Sequence, residues 1–284
     1  MFYMIYQMTS NLKYLIIPDV HGRDFWIEPL KYVLKNTDAK IIFLGDYLDV
    51  YLEEFQEKYE FDINDYSKET YEKFNKVYDN AIENFKSIIE FKKENPDRII
   101  LLLGNHDCSY SIGDYICNCR KDKINARQIS NLFDNNKDLF QLAHEDYIND
   151  KHFIFSHAGI NKKYAKDCFG DEVNEKNVVT LFNNALREEN YGVLNSLGYY
   201  SRFRGRFGGD YGSIIWADAR EWFYGQDDTL KTQNEPYGFS IVGHSIMSKP
   251  YITENMAFLD TQEAHCLLEN GEILTFKNYI EFDE

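Results

Sequence analysis

The sequence predicts an α/β fold with a largely parallel sheet, and the first half of the chain carries the pattern. Short apolar runs such as Tyr14–Ile17 and Lys40–Leu44 alternate with longer polar, helix-like stretches. Runs that are apolar throughout suit strands that are buried on both faces. Strand–helix–strand alternation implies parallel strands joined by crossover helices. In the second half the strand-like runs are closer together and helices are fewer, which indicates a second sheet packed on the first.

Eight strands and four helices are predicted along the chain. The strands are Tyr14–Ile17, Lys40–Leu44, Arg98–Leu103, His152–Phe155, Ser213–Trp216, Phe239–Val242, Met256–Asp260 and Ile273–Phe276. The helices are Phe25–Lys35, Ser67–Lys93, Asn125–Phe133 and Asn177–Glu188. We expect a single domain over residues 1–284, with insertions at 51–66 and 162–212. Long insertions near a site tend to shape substrate access.

Composition and charge limit the classes of function. The chain has 284 residues and a net charge of −16, and so acidic a surface repels nucleic acids and anionic membranes. An anionic substrate is still compatible with this charge, because bound metal ions can dominate the local field. No stretch approaches the roughly 18 apolar residues of a membrane helix, and the N-terminal residues lack the basic segment of a signal peptide. The odd number of Cys fits no disulfide framework, so we expect a cytoplasmic protein with reduced thiols.

The strongest functional signal is positional. Five apolar runs are each followed by side chains that can bind metals, namely Asp19 and His21, Asp46 and Asp49, Asn105 to Asp107, His157, and His244. In open α/β sheets, ligands bind beyond the carboxyl ends of the strands, so we expect these clusters to meet at one edge. Imidazole, carboxylate and amide oxygen together suit Mn, Fe or Zn. A pair of such ions can clamp the attacking and leaving oxygens of a phosphoryl displacement.

The order of these clusters resembles a known family. They read Asp19-Val-His21, Gly45-Asp46-Tyr-Leu-Asp49, Gly104-Asn105-His106-Asp107, Ser156-His157-Ala-Gly159 and Gly243-His244-Ser245. The calcineurin-like metallophosphoesterases have the motifs D-x-H, G-D-x-x-D, G-N-H-[DE], H and G-H in the same order. Each block is weak alone, but five in order, each after a strand, are a strong signal. The resemblance implies a four-layer α/β/β/α sandwich with two mixed sheets flanked by helices.

Three further segments narrow the resemblance to the phosphoprotein-phosphatase branch, which includes bacterial Ser/Thr phosphatases and symmetrical dinucleoside-tetraphosphatases. They are Asp19-Val-His-Gly22, Trp216-Ala-Asp218 and Leu259-Asp-Thr261. The branch implies hydrolysis of phosphomonoesters or phosphoanhydrides in a phosphoprotein, nucleotide or dinucleoside polyphosphate. We therefore expect a phosphorylated small molecule or peptide as the substrate, and neither a long nucleic acid nor a membrane as a partner.

The resemblance also implies the roles of the site residues. The cofactor would be two divalent ions, in the first place Mn, with Fe, Zn or Ni as alternatives. Asp19, His21 and Asp46 would bind the first ion, and Asp46, Asn105, His157 and His244 the second. A metal-bridging hydroxide would attack the phosphorus. His106 would protonate the leaving alkoxide as general acid, and Asp49 would orient and charge-tune His106.

The sequence departs from the branch at one position and leaves alternatives open. The branch has an Arg that clamps the phosphate where this chain has Val50. Arg suits bidentate phosphate contacts, so we expect a replacement among Arg202, Arg204, Arg206 and Arg220, although these could instead belong to a solvated loop. A non-catalytic metal-binding scaffold on the same fold is the alternative function, and the presence of both His106 and Asp49 disfavours it. A single-metal hydrolase of another family would leave six ordered ligands unexplained.

Overall fold

The computed structural model describes residues 12–113, 121–224 and 235–281. The strands in these ranges are β1 (Leu12–Ile17), β2 (Lys40–Phe43), β3 (Ile99–Leu102), β4 (Phe140–Gln141), β5 (Ala143–Ile148), β6 (Lys151–Ser156), β7 (Phe239–Val242), β8 (Tyr251–Ile252), β9 (Met256–Phe258), β10 (His265–Leu268) and β11 (Ile273–Thr275). The helices are α1 (Ile27–Asn36), α2 (Leu52–Tyr59), α3 (Lys68–Glu94), α4 (Asn105–Ser111), α5 (Ala126–Asp134), α6 (Lys162–Phe169), α7 (Val178–Arg187), α8 (Tyr191–Leu194), α9 (Ala219–Tyr224) and α10 (Phe276–Glu281). None of the helices in these ranges is long and apolar enough to cross a membrane.

The strands form two mixed sheets. The first has the order β11-β10-β1-β2-β3-β4, and β1 to β4 are parallel to one another, as the alternating pattern predicts. The second has the order β5-β6-β7-β9-β8, with β6, β7 and β9 parallel. Antiparallel strands lie at the edges of both sheets. Parallel neighbours place their carboxyl ends at one edge, which is where the candidate site residues follow.

The two sheets pack face to face, and helices cover their outer faces. Alternate residues of β1 point to opposite faces: Tyr14 and Ile16 pack against Phe153 and Phe155 of the second sheet. Leu15 and Ile17 belong instead to the core under the helices of the first sheet. Burial on both faces explains why the strand sequences are apolar throughout. The expected four-layer α/β/β/α sandwich is confirmed.

One predicted strand is wrong and several elements were not predicted. Ser213–Trp216 is a buried turn, not a strand, because its polar groups bond locally: the Trp216 N–H donates to the Ser213 carbonyl at 3.0 Å. The Ser213 hydroxyl donates to the Leu197 carbonyl at 2.6 Å. Strand β5 was not predicted because the His-Glu-Asp in its middle breaks the apolar pattern. The stretch 51–66 holds α2, and 162–212 holds α6 to α8.

Candidate metal centre and active site

The loops that follow five parallel strands bring the predicted residues together in one buried cluster. Asp19, Asp46 and Asn105 follow β1, β2 and β3 of the first sheet, and His157 and His244 follow β6 and β7 of the second. All of them are buried, although they are polar. Buried polar groups are stable only where they form hydrogen bonds or pair with an opposite charge. The side chains of the cluster must therefore bond to one another or bind a cation.

The backbone of the site is held in unusual conformations. Positive φ angles occur at His21 (45°), Asp46 (53°), Asp49 (62°) and His244 (64°). Non-glycine residues in this region cost about 1–3 kcal/mol each and cluster at functional sites. A Cβ atom at Gly104 would collide with the carboxylate of Asp46. Residue 104 must therefore be glycine, because a larger residue would prevent the close approach of the loop that carries Asp46.

Four donor atoms converge around His157. Its Nε2 lies 3.0 Å from Asn105 Oδ1, 3.0 Å from His244 Nδ1 and 3.4 Å from Asp46 Oδ2. Its Nδ1 lies 2.8 Å from the Leu44 carbonyl, and a carbonyl can only accept a hydrogen bond, so Nδ1 carries the proton and donates. In the neutral ring Nε2 then carries a lone pair that faces the oxygens of Asn105 and Asp46. A cation between these atoms converts that repulsion into coordination.

A second group of donors faces the same oxygen of Asp46. His21 Nδ1 is 2.8 Å from the Leu48 carbonyl, which turns Nε2 toward the carboxylates, 3.7 Å from Asp46 Oδ2 and 4.0 Å from Asp19 Oδ2. The Asp19 Oδ1 atom accepts the backbone N–H of His244 at 2.9 Å. Asp46 Oδ1 accepts that of His106 at 2.9 Å. These bonds leave the Oδ2 atom of each carboxylate directed at the imidazoles.

Two sets of potential ligand atoms lie within 4.8 Å of one another, His21 with Asp46 and His106, and Asp46 with His157 and His244. Asp46 belongs to both sets. The donor set of the described residues fits divalent ions, and the imidazoles of His21 and His157 are each oriented by a carbonyl, as in known metal sites. The donors are nitrogen and oxygen, which suits such ions.

Charge inside the cluster favours cation binding. Burial alone would lower the pKa of His157, but the negative charges of Asp46 and Asp19 raise it to about 10. Burial lowers the pKa of His21 to about 3, so its Nε2 lone pair is available at neutral pH. Burial raises the pKa of Asp19 to about 6. His157 therefore binds a proton readily among these carboxylates, and the same negative charges would attract a metal ion.

His106 forms a buried pair with Asp49. Its Nδ1 lies 2.7 Å from Asp49 Oδ2, so its Nε2 faces the cavity that His106 lines. Asp49 Oδ1 accepts a hydrogen bond from the Tyr110 hydroxyl and another from the Asp122 N–H at 3.0 Å. Burial works against a charged His106, yet the charges of Asp46 and Asp49 raise its pKa. Neither Tyr110 nor Asp122 was predicted, because they meet Asp49 only through the fold.

Asp107 joins two of the motifs. Its carboxylate accepts the backbone N–H groups of Asp46 at 2.6 Å, Gly104 at 2.8 Å and Tyr47 at 3.1 Å. Asp107 thus fixes the loop after β2 against the loop after β3. The sequence offered a signal for this residue, since it is the last position of the Gly-Asn-His-Asp block, but the pattern alone did not reveal its role.

The cluster forms the floor of a cavity of about 280 Å³. Further residues that line it are Tyr51, Arg204, Trp216, Ile246 and Asp260. Arg204 is held in place by Asp218, whose Oδ2 lies 2.7 Å from its Nε, and it donates to Ser245 Oγ at 3.1 Å. The Arg204 side chain is 27% exposed. The cavity thus has one arginine among its described lining residues.

The other three predicted arginines lie elsewhere. Arg220 donates to both oxygens of Asp218, at 2.7 and 2.9 Å, and to the Phe203 carbonyl at 2.6 Å. Arg202 lies over the Phe203 ring, 5.6 Å from its centroid, and Arg206 is exposed. None of the three is among the described residues that line the cavity. Val50, at the position of the branch's phosphate-binding Arg, is buried in the apolar core.

An arginine that the sequence did not single out braces the same edge. Arg23 makes a bidentate contact with Glu54 of α2, at 2.7 and 2.9 Å, and donates to the Asp19 carbonyl at 3.3 Å. Its guanidinium also lies over the ring of Tyr51. The stretch 51–66 is therefore attached to the loop that carries Asp19 and His21.

A sequence model of one family, described as calcineurin-like phosphoesterase, matches residues 12–246. The chain belongs to this family. The calcineurin-like fold and the site above thus belong to a phosphoesterase, a hydrolase that depends on divalent metal ions. Among solved structures, a protein serine/threonine phosphatase from Saccharomyces cerevisiae with similarity to human phosphatase PP5 resembles this phosphoesterase. The identity is 11%, the TM-score is 0.48, and the match covers 96% of this chain and 85% of the other. No curated protein matches it significantly.

Proposed function

We propose that this phosphoesterase hydrolyses phosphomonoesters or phosphoanhydrides by direct attack of water at a two-ion centre. The observation that carries the proposal is the central position of Asp46. Its Oδ2 lies 3.7 Å from His21 Nε2 and 3.4 Å from His157 Nε2, so one carboxylate serves both groups of ligands. Two bound ions acidify a water molecule and neutralise charge on the phosphoryl oxygens. We propose Mn²⁺ for both positions, with Fe, Zn or Ni as alternatives, since the predicted ligands include no thiolate.

The residues of the chain supply proton transfer and ligand orientation. Asp49 holds His106 Nδ1 and leaves Nε2–H facing the cavity. When the bond between phosphorus and the leaving oxygen breaks, His106 gives this proton to the oxygen. Direct proton donation by a positioned imidazole contributes about 10²–10⁴-fold to a rate. Asp19, His21, Asn105, His157 and His244 bind and space the ions.

Arg204 binds the substrate phosphate, in place of the arginine that the branch has at the position of Val50. It lines the cavity, and Asp218 fixes its Nε edge. A guanidinium that is oriented in this way loses little entropy on binding a phosphate. The substrate class that fits is a phosphorylated small molecule or peptide, because a cavity of about 280 Å³ admits a phosphoryl group with a limited part of its leaving group.

The proposal is tested by hydrolysis with metal-stripped protein to which Mn, Fe, Zn, Ni or Mg is restored one at a time. The substrates are 4-nitrophenyl phosphate, its bis-ester, a phosphopeptide and a dinucleoside tetraphosphate. We expect metal-dependent turnover of a monoester or an anhydride, with two ions bound per chain. Two bound ions without turnover of any substrate would support the scaffold alternative, and saturation at one ion would support a single-metal hydrolase.

Arg204→Ala is expected to lower kcat/KM by about tenfold to hundredfold, mainly through KM. A hydrogen bond to a charged group contributes about 1.5–3 kcal/mol, which corresponds to that range. Steady-state kinetics with the preferred substrate measures the effect. Arg127→Ala, an exposed arginine on α5, is the matched control and should behave as wild type. An equal loss in Arg202→Ala or Arg206→Ala would contradict the special position of Arg204.

Asp49→Asn is expected to move the alkaline limb of the kcat–pH profile to lower pH and to lower its plateau. His106 acts in its protonated form, so kcat falls as pH rises through its pKa. The negative charge of Asp49 raises that pKa, and removing the charge lowers it. Tyr110→Phe keeps the Asp49 charge and should leave the limb in place or at slightly higher pH. If the alkaline limb of Asp49→Asn stayed at the wild-type pH, Asp49 would have no influence on the pKa of His106.

A further inference from the structure

Asp260 occupies the same structural position in the second sheet as two of the predicted metal ligands. His157 follows β6, His244 follows β7, and Asp260 follows β9, and these three strands are parallel neighbours. The Leu259 N–H donates to the Val242 carbonyl at 2.9 Å and the Met247 N–H to the Asp260 carbonyl at 2.8 Å. The loop after β9 is therefore attached to the loop that carries His244. The second sheet thus contributes three side chains to this edge, as the first sheet does from β1, β2 and β3.

The side chain of Asp260 is buried, and one of its two carboxylate oxygens has no hydrogen-bond partner among the described residues. It is 2% exposed, it lines the cavity beside Asp19 and His21, and its Oδ1 has no hydrogen-bond partner among the described residues. A buried carboxylate without a partner is costly, and a second carboxylate nearby adds repulsion. Asp19 is the carboxylate whose charge acts most strongly on Asp260. A proton shared by this pair of acids or a bound cation relieves the repulsion.

The described residues supply positive charge at this pair only in part. Arg23 is a guanidinium whose charge acts on Asp260, but its Nε and Nη2 atoms are bound to the carboxylate of Glu54. His157 also acts on Asp260, and its Nε2 points to Asp46, Asn105 and His244. The position between Asp19 and Asp260 therefore favours an added cation.

We propose that Asp260 is a further positioning residue of the metal centre. It serves the ion that Asp19 and His21 hold, by balancing its charge and by accepting a hydrogen bond from one of its water ligands. This inference rests on the two-ion site proposed above. Carboxylates that orient a metal's ligands in this way typically change the affinity of the ion by 10–100-fold.

The test is titration of metal-stripped wild type and Asp260→Asn with Mn²⁺ by calorimetry, together with thermal unfolding of both in the apo and Mn²⁺-loaded states. We expect one of the two Mn²⁺ affinities to fall by about tenfold to hundredfold in the variant. The Tm of apo Asp260→Asn should equal or exceed that of the apo wild type, because the repulsion with Asp19 is removed. The gain in Tm on adding Mn²⁺ should shrink. A structural role predicts the opposite pattern, namely a lower apo Tm with unchanged Mn²⁺ affinities, and this outcome would overturn the proposal.

Two further variants keep the test decisive. Asp260→Ser removes the charge from a smaller side chain and should reproduce the loss of affinity if the amide of Asn disturbs folding. Asp146→Asn is the matched control, because this carboxylate of β5 bonds to the Tyr14 hydroxyl at 2.8 Å and is absent from the described cavity lining. Its Mn²⁺ affinities should equal those of the wild type. If wild type bound fewer than two ions, the proposed function would fail; if it bound two with affinities that Asp260→Asn and Asp260→Ser left unchanged, only the present inference would fail.

Discussion

His106→Asn is expected to lower kcat by about 10²–10⁴-fold and to leave the metal content unchanged. The asparagine side chain cannot deliver a proton to the leaving oxygen, whereas the backbone N–H of residue 106 still bonds to Asp46 Oδ1, as it does at 2.9 Å in the wild type. Steady-state kinetics gives the loss in kcat, and metal analysis gives the ion stoichiometry. Thermal unfolding confirms that the variant is folded.

The size of this loss should depend on the leaving group. A 4-nitrophenolate leaves readily without a proton, while a serine or sugar alkoxide needs one, so the loss should be smaller for 4-nitrophenyl phosphate than for an alkyl phosphate. Equal losses on both substrates would indicate that His106 contributes by its charge and not as a general acid. His144→Asn is a suitable control because His144 lies on β5 and bonds to Tyr14 at 3.0 Å, away from the cavity.

The sequence predicted which side chains gather at one edge of the sheets, because each of them follows a strand that is easy to recognise. His157 and His244 come directly after apolar runs of β6 and β7, and parallel pairing forces the ends of such strands to one edge. Local order along the chain therefore translates into proximity in space. The same reasoning located Asp46, which follows β2, the strand between β1 and β3.

The residues that sequence reasoning missed depend on contacts between distant segments. Tyr110 reaches Asp49 across 61 positions of the chain, and Arg23 reaches Glu54 because α2 lies against the loop after β1. Asp260 lay within a recognised segment, but only the structure shows that its Oδ1 atom is buried without a hydrogen-bond partner among the described residues. Three of the four candidate arginines lie in one Gly-rich segment, and only the fold shows that Arg204 is the one that lines the cavity. The periodicity of apolar residues identifies helices and strands and their ends, but it does not show which loop side chains contact one another.

Asp46→Asn is expected to abolish measurable activity, with a loss of more than about 10³-fold, and to reduce Mn²⁺ binding at both positions. The replacement is nearly isosteric, and Asn tolerates the positive φ of 53° found at this residue. The amide oxygen can still accept the His106 N–H, so the fold should be retained. With its oxygen on that N–H, the amide turns its NH2 group toward His21 and His157, where the carboxylate has Oδ2, and an NH2 group cannot bind an ion.

Asn105→Ala provides the comparison that isolates the bridging role of Asp46. Asn105 contacts His157 Nε2 at 3.0 Å and was predicted to bind only the second ion. Calorimetry should therefore show one strong Mn²⁺ site in Asn105→Ala and weakened binding at both sites in Asp46→Asn. If Asp46→Asn kept one site at wild-type affinity, Asp46 would serve a single ion. The water activation that two ions share would then need another bridging group, and His106, which stands with His21 and Asp46 in one set of potential ligands, would be the residue to test as a ligand.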